Sequence, residues 1–195
     1  MVDLVFDGAR YTCEFVGNDP QPLQPCEYSQ RNPEWANIPL GLSNYTVGSA
    51  GCAVTAATML ATMVNPELTP GSVTEWLNEH GGFTRGGLLY WSVVAQMVDG
   101  MEFVSYSKWN NTAADMDAVS EALKQNPQVV QVDFYPGGVL DTHFVLALGF
   151  TDDGQDMNII DPWTGKRTRL LGAYGLATWD LKRAIYAMAE YKLER

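Results

Sequence analysis

A change of hydrophobic period at Asn126-Pro127 restricts the fold more than any other feature of this chain. Upstream, apolar residues recur at three- and four-residue spacing; downstream they come in short runs of strand length. Residues 52–64 carry Ala53, Ala57, Leu60 and Val64 on one helical face, with Ala56, Ala61 and Met63 as strong helix formers. Asn65-Pro66 ends that helix. Thr69 and Pro70 give the next one its cap and first position, and Gly81-Gly82 stops it. Further helices are predicted over 88–97 and, capped by Thr112, over 113–125, with a short strand at 103–106 between them. Beyond the break, strands are predicted at 129–134, 143–150 and 157–161, and the second reads as buried on both faces. A turn at 163–166 leads into 167–171. Residues 178–193 suit a helix by content, and 185–189 within them suit a last strand. Helices first and an antiparallel sheet after give an α+β chain.

The start is separate. Residues 2–17 alternate as a small hairpin turning at Asp7-Gly8, and the Pro-containing stretch 18–25 connects it to the rest of the chain. We therefore expect an N-terminal extension over 1–25 and one domain over 26–195, long enough for a real core. The net charge of −11 argues against a nucleic-acid partner. No run is apolar enough for a membrane span. Acids near Met1 stand where a secretory signal has Lys or Arg, so a cytoplasmic or phage-associated protein is expected, with a non-Sec route open. The three cysteines cannot all pair within the chain. Cys13 and Cys26 form either a bridge or two free thiols, and the reduced pair is favoured. With no zinc-type cysteine spacing and only His80 and His143, no metal or cofactor is expected.

Chemistry concentrates around Gly48-Ser49-Ala50-Gly51-Cys52-Ala53-Val54-Thr55. Cys52 falls at the first turn of a helix, where unpaired N–H groups favour an anion. A thiolate there is expected at a pKa of roughly 3.5–7.5, against about 8.5 for a free cysteine. Gly48 and Gly51 are expected to turn the backbone sharply and leave the sulfur uncrowded. His143 opens one strand and Asp161 closes the next, so hairpin geometry makes them neighbours. Gln30, upstream, is a candidate side-chain donor to an oxyanion beside the Cys52 N–H. Each residue also has a plainer reading: a buried small cysteine, a core histidine, a turn at Asp161-Pro162. His80 reads as a helix-end residue. The Trp and Tyr residues near position 90 read as core, or as a cleft rim placed by Gly86-Gly87.

Taken together, Tyr28-Ser29-Gln30 with Trp35, the glycine-flanked Cys52 stretch, His143-Phe144-Val145-Leu146 and Ile160-Asp161-Pro162-Trp163 resemble the papain-like cysteine peptidases of the bacteriocin-processing type, most closely their stand-alone, C39-like branch. The resemblance covers about residues 27–175. It implies a papain-like fold, with a helical half holding the cysteine and a sheet half holding the histidine. It also implies Cys52 as nucleophile, His143 as base and acid, Asp161 as orienting residue and Gln30 as oxyanion donor. Asn32 departs from it, where many relatives carry an acid. Three functions are open: a peptidase or amidase acting on peptides, including peptidoglycan peptides or leader peptides; acyl transfer such as transglutamination or deamidation; and a non-catalytic structural or binding protein on the same fold, such as a phage virion component, with virion or cell-wall association as the expected setting. A bacterial or phage origin is implied.

Overall fold

Helix gives way to sheet where the hydrophobic period changes. The computed structural model describes residues 4–6, 9–11, 24–109 and 112–194. In chain order the elements are β1 (Leu4–Phe6), β2 (Ala9–Tyr11), α1 (Val47–Ala50), α2 (Cys52–Ala61), α3 (Pro70–Glu79), α4 (Trp91–Gln96), β3 (Met101–Lys108), α5 (Met116–Gln125), β4 (Gln128–Asp133), β5 (Thr142–Phe150), β6 (Met157–Asp161), β7 (Lys166–Arg169), α6 (Leu170–Tyr174), α7 (Leu181–Ala184) and β8 (Ala187–Leu193). β1 and β2 pair as an antiparallel hairpin, Leu4 opposite Tyr11; Cys13 and the predicted connection at 18–23 lie outside the described residues.

The remaining strands form one antiparallel sheet in the order β3-β8-β4-β5-β6-β7. Its first face packs on α2, and Phe144, Leu146 and Ile160 join the core built around Val54, Met59 and Leu60. On its second face, Val145, Ala147 and Ile159 pack with residues of α5, α6 and α7. β5 is thus covered on both faces, which is why its run from Phe144 to Ala147 is apolar without alternation. α2 is buried almost all round, a central helix rather than a surface one. Burial of one of its larger side chains, such as Leu60, contributes about 1.5–3 kcal/mol.

Local signals set several boundaries. Thr69 caps α3 with a full capping box to Ser72, and Pro70 takes the first helical position. α5 starts later than expected, because Asp115 rather than Thr112 supplies the cap, accepting the Ala118 N–H at 3.1 Å. α4 is shorter than the predicted helix: residues 83–89 form a small loop closed by a Phe83–Leu89 bridge, and the helix begins only at Trp91. The ambiguous tail resolves into both alternatives, a single turn of helix (α7) and a strand (β8). No helix among the described residues is long and apolar enough to cross a membrane.

Cys26 corrects one expectation: it is disulfide-bonded, whereas Cys52 is a free thiol. The residue is 1% exposed, and its N–H donates to Thr62 Oγ1 just after α2, at 2.9 Å.

Candidate active site

Cys52 is the first residue of α2 and is buried. The turn before it is built by its own sequence. Thr46 caps α1, with its N–H donating to Ser49 Oγ at 2.9 Å. Neither Gly48 nor Gly51 has a positive φ, and the latter sits at −86°. Close approach is what requires them. A Cβ on Gly51 would lie 2.4 Å from the Val47 carbonyl oxygen, and one on Gly48 would lie 2.9 Å from the Ala36 Cβ. The chain turns at Gly51 between α1 and α2, and close packing on Ala36 and Val47 is what leaves no room for a side chain at the two glycines.

His143 and Asp161 come from neighbouring strands. Leu146 pairs with Ile160, so the start of β5 lies beside the end of β6. His143 Nε2 is 2.9 Å from Asp161 Oδ1, and both side chains are almost fully buried. Asp161 is held from three directions. Its Oδ1 also accepts the Trp163 N–H at 2.9 Å, and its Oδ2 accepts the Thr164 hydroxyl at 3.0 Å. Phe134 meets the imidazole edge-on at a centroid distance of 4.9 Å, and the Tyr174 ring lies at 5.3 Å. With Nε2 committed to Asp161, Nδ1 is the ring nitrogen left to face a nucleophile, and Cys52 is near enough to the ring to act on its charge.

The electrostatics follow from these contacts. Burial by itself pulls the His143 pKa down; the hydrogen bonds to Asp161 and Cys52 and their charges outweigh it, and the group is pushed up to about 9. Burial works to raise Asp161, yet the bond from His143, the Trp163 N–H and the Thr164 hydroxyl hold it below the ordinary carboxylate value. Burial raises the Tyr174 phenol, and the Asp161 carboxylate and Cys52 push it the same way.

Gln30 sits between the two halves. Its N–H donates to the Pro162 carbonyl at 2.7 Å, directly after Asp161. Its side-chain Nε2 donates to the carbonyls of Val47 at 3.4 Å and Gly48 at 3.2 Å, in α1. Its Oε1 is buried without a partner. The segment is pinned by Gly165, whose φ of +67° and lack of a side chain let the β6–β7 turn lie against Ser29; a Cβ there would fall 2.8 Å from the Ser29 nitrogen. Trp35 anchors the same segment through its indole N–H, which donates to the Ser29 carbonyl at 2.8 Å. His80 takes no part: it caps α3, exposed and stacked on Trp76.

Sequence reasoning missed Phe134 and Tyr174 around the imidazole and Thr164 on the Asp161 carboxylate. Thr164 was within reach, three residues past Asp161 in a turn. Phe134 and Tyr174 gave no signal, because they arrive from the far end of β4 and from α6.

A family match covers residues 27–185, by its description a Peptidase_C39 like family. No curated protein matches the chain closely enough to count as a relative. The matched stretch contains Gln30, Cys52, His143 and Asp161 and takes in most of the α+β domain, so the chain belongs to the Peptidase_C39 like family, a cysteine peptidase-like family.

Proposed function

We propose that the protein hydrolyses peptide bonds through Cys52, His143 and Asp161, with residues 26–195 as the catalytic unit and 1–25 as an extension. The observation that carries this reading is the buried His143–Asp161 bond at 2.9 Å, with the free Cys52 thiol near enough to the imidazole to act on its charge. Asp161 fixes the ring and favours its protonated form, so His143 can take and hold the Cys52 proton as the sulfur becomes nucleophilic. The sulfur attacks the peptide carbonyl carbon. The His143 Nδ1–H then protonates the leaving amine, which leaves a thioester on Cys52 and a neutral ring. That ring takes a proton from water as the water oxygen attacks the thioester, and the carboxylic acid leaves as the thiolate returns. The oxyanion of each tetrahedral intermediate is assigned to the Cys52 N–H and one Gln30 N–H. Gln30 reaches it by exchanging the longer of its bonds to α1, the one at 3.4 Å; such bonds commonly tighten only when substrate is present.

The test is to incubate the full chain with a mixed peptide pool and trap acylated protein at low pH for mass spectrometry. A thioester on Cys52 and new peptide termini are expected. Acylation followed by transfer to an added amine in preference to water assigns transamidation instead. No acylation, with iodoacetamide labelling Cys52 only at the pH of an ordinary thiol, rejects catalysis.

A further inference from the structure

Large apolar side chains exposed among the described residues fall mostly on loops joined to the elements around Cys52 and His143. Apart from Val104 on β3, all of them lie on four loops. Leu42 and Tyr45 belong to residues 40–46, and Leu88 and Tyr90 to residues 83–90. Tyr135 and Val139 belong to residues 134–141, and Leu176 to residues 175–180. Leu42 and Val139 are more than nine-tenths exposed, Leu88 and Tyr135 about seven-tenths. Single exposed apolar residues are ordinary, but a contiguous concentration marks a binding surface.

Each loop is tied to the catalytic groups. Residues 40–46 run straight into α1 and Cys52, closed by a bridge from Pro39 to Thr46. The 83–90 loop packs on them: a Cβ on Gly87 would fall 2.6 Å from Ser43 Oγ, and one on Gly41 would fall 2.9 Å from the Phe83 Cβ. It ends at Tyr90, which precedes Trp91; Trp91 packs edge-on against Phe144, the neighbour of His143, at 5.0 Å. From the sheet half, Tyr135 packs on Phe134 at 4.8 Å, and Phe134 packs on His143. Leu176 follows Tyr174, which also packs on His143, and its Cδ1 lies 3.7 Å from where a Cβ on Gly137 would be. Two touching loops thus border the cysteine side and two touching loops border the histidine side.

Charge narrows what can lie there. The four loops hold only Arg85, Asp141 and Asp180, and Asp180 is occupied in capping α7. The chain as a whole carries −11. That charge repels an acidic peptide and draws a basic one only at long range, since on the loops themselves a basic side chain finds Asp141 alone to pair with. A peptide of Gly and Ala leaves the apolar side chains in water and gains nothing from them. We propose that the site takes peptides with bulky aliphatic or aromatic side chains on both sides of the scissile bond, gripped by Tyr45, Leu88 and Tyr90 on the cysteine side and by Tyr135, Val139 and Leu176 on the histidine side. The proposal rests on the peptidase reading for the identity of its occupant, and it excludes short Gly- or Ala-rich cell-wall bridges as good substrates.

The experiment uses matched peptides that differ only at the two residues flanking the central bond: Leu/Phe, Gly/Ala, Glu/Asp and Lys/Arg. The full chain is tested for cleavage, and its Cys52→Ala form, or Cys52→Ser should that fold better, is tested for binding by fluorescence anisotropy. The Leu/Phe peptide is expected to be cleaved and bound at least about tenfold better than the other three, the size of effect an apolar pocket gives. Leu88→Ser with Tyr135→Ser should remove most of that preference while the melting temperature holds, since both side chains stand in solvent. Equal binding of all four peptides, or a preference for Gly/Ala, overturns the proposal. So does a concentration-dependent dimer, seen by light scattering, that the double variant abolishes, because the surface then serves a second copy. If nothing is cleaved but the inactive form still selects the Leu/Phe peptide, the surface assignment stands and the peptidase reading falls.

Discussion

The helical half and the sheet half place their catalytic groups by different means. Cys52 is placed by backbone: a capped turn, two glycines that allow α1 to pack close, and the start of a buried helix, all within a few residues of the sulfur. His143 is placed by side chains from elsewhere: Asp161, 18 residues away, and the rings of Phe134 and Tyr174. Losing the thiol therefore removes chemistry and little else. Losing the imidazole strands a buried carboxylate and opens an aromatic cage. Gln30 spans the two, with its backbone on the turn after Asp161 and its amide on the carbonyls before Cys52.

The largest effect breaks or upholds this contrast directly. Cys52→Ala and His143→Ala should each lower turnover by about 10⁴–10⁶. Their stabilities should part company. Cys52→Ala should leave the urea midpoint nearly unchanged, whereas His143→Ala should cost about 3 kcal/mol. That is the lower end for breaking a buried pair, because Trp163 and Thr164 still bond Asp161. Equal midpoints would show that the cage does not hold the base in the way its contacts suggest.

Next in size is Gln30→Ala. If its amide serves the oxyanion, turnover should fall by about 10²–10³ with the fold retained. The stability cost should stay near 1 kcal/mol, since the lost bonds to α1 are long and Oε1 has no partner to lose. A fully active variant would assign the oxyanion to backbone N–H groups alone, and Gln30 would become a strut between the halves.

The smallest effect is read in pH. His143 lies above its ordinary 6.5 at about 9, so the stability it contributes is full below about 6.5 and is lost as pH rises through 9. Asp161 lies below its ordinary 3.8, so its contribution is present above that value and is lost as pH falls through the lowered one. The pair is thus at full strength between about pH 4 and 6.5. The gap in urea midpoint between the wild type and His143→Gln should be widest there and narrow by pH 10. A gap independent of pH would mean that the imidazole contributes packing and no charge.

Much of this was legible in the sequence where distances along the chain are short. The capping pair at Thr69 and Ser72, the helix start at Cys52, the strand ending at Asp161 and the nearness of His143 to Asp161 all follow from local period and hairpin geometry. Trp35 as an anchor was legible too, though not that it holds the Ser29 carbonyl. That Gly48 and Gly51 are needed for close packing, on Ala36 and on Val47, was not legible, because those neighbours are set by the folded backbone.

By itself, then, the sequence determined the α+β class and the order of the longer helices and strands as far as β6, and it put forward four candidate residues. Those features depend on periodicity, caps and turns, which act over a few residues each. Tertiary structure alone decided the rest. It inserted β8, the last strand, between β3 and β4, and it brought Tyr174 from α6 to the imidazole. It turned the Gln30 amide onto α1, bonded Cys26 in a disulfide, and packed residues 83–90 on residues 40–46. Loop-closure entropy changes little with loop length, so the chain alone scarcely ranks one distant partner above another. Burial and shape do the ranking, and they exist only once the halves have packed.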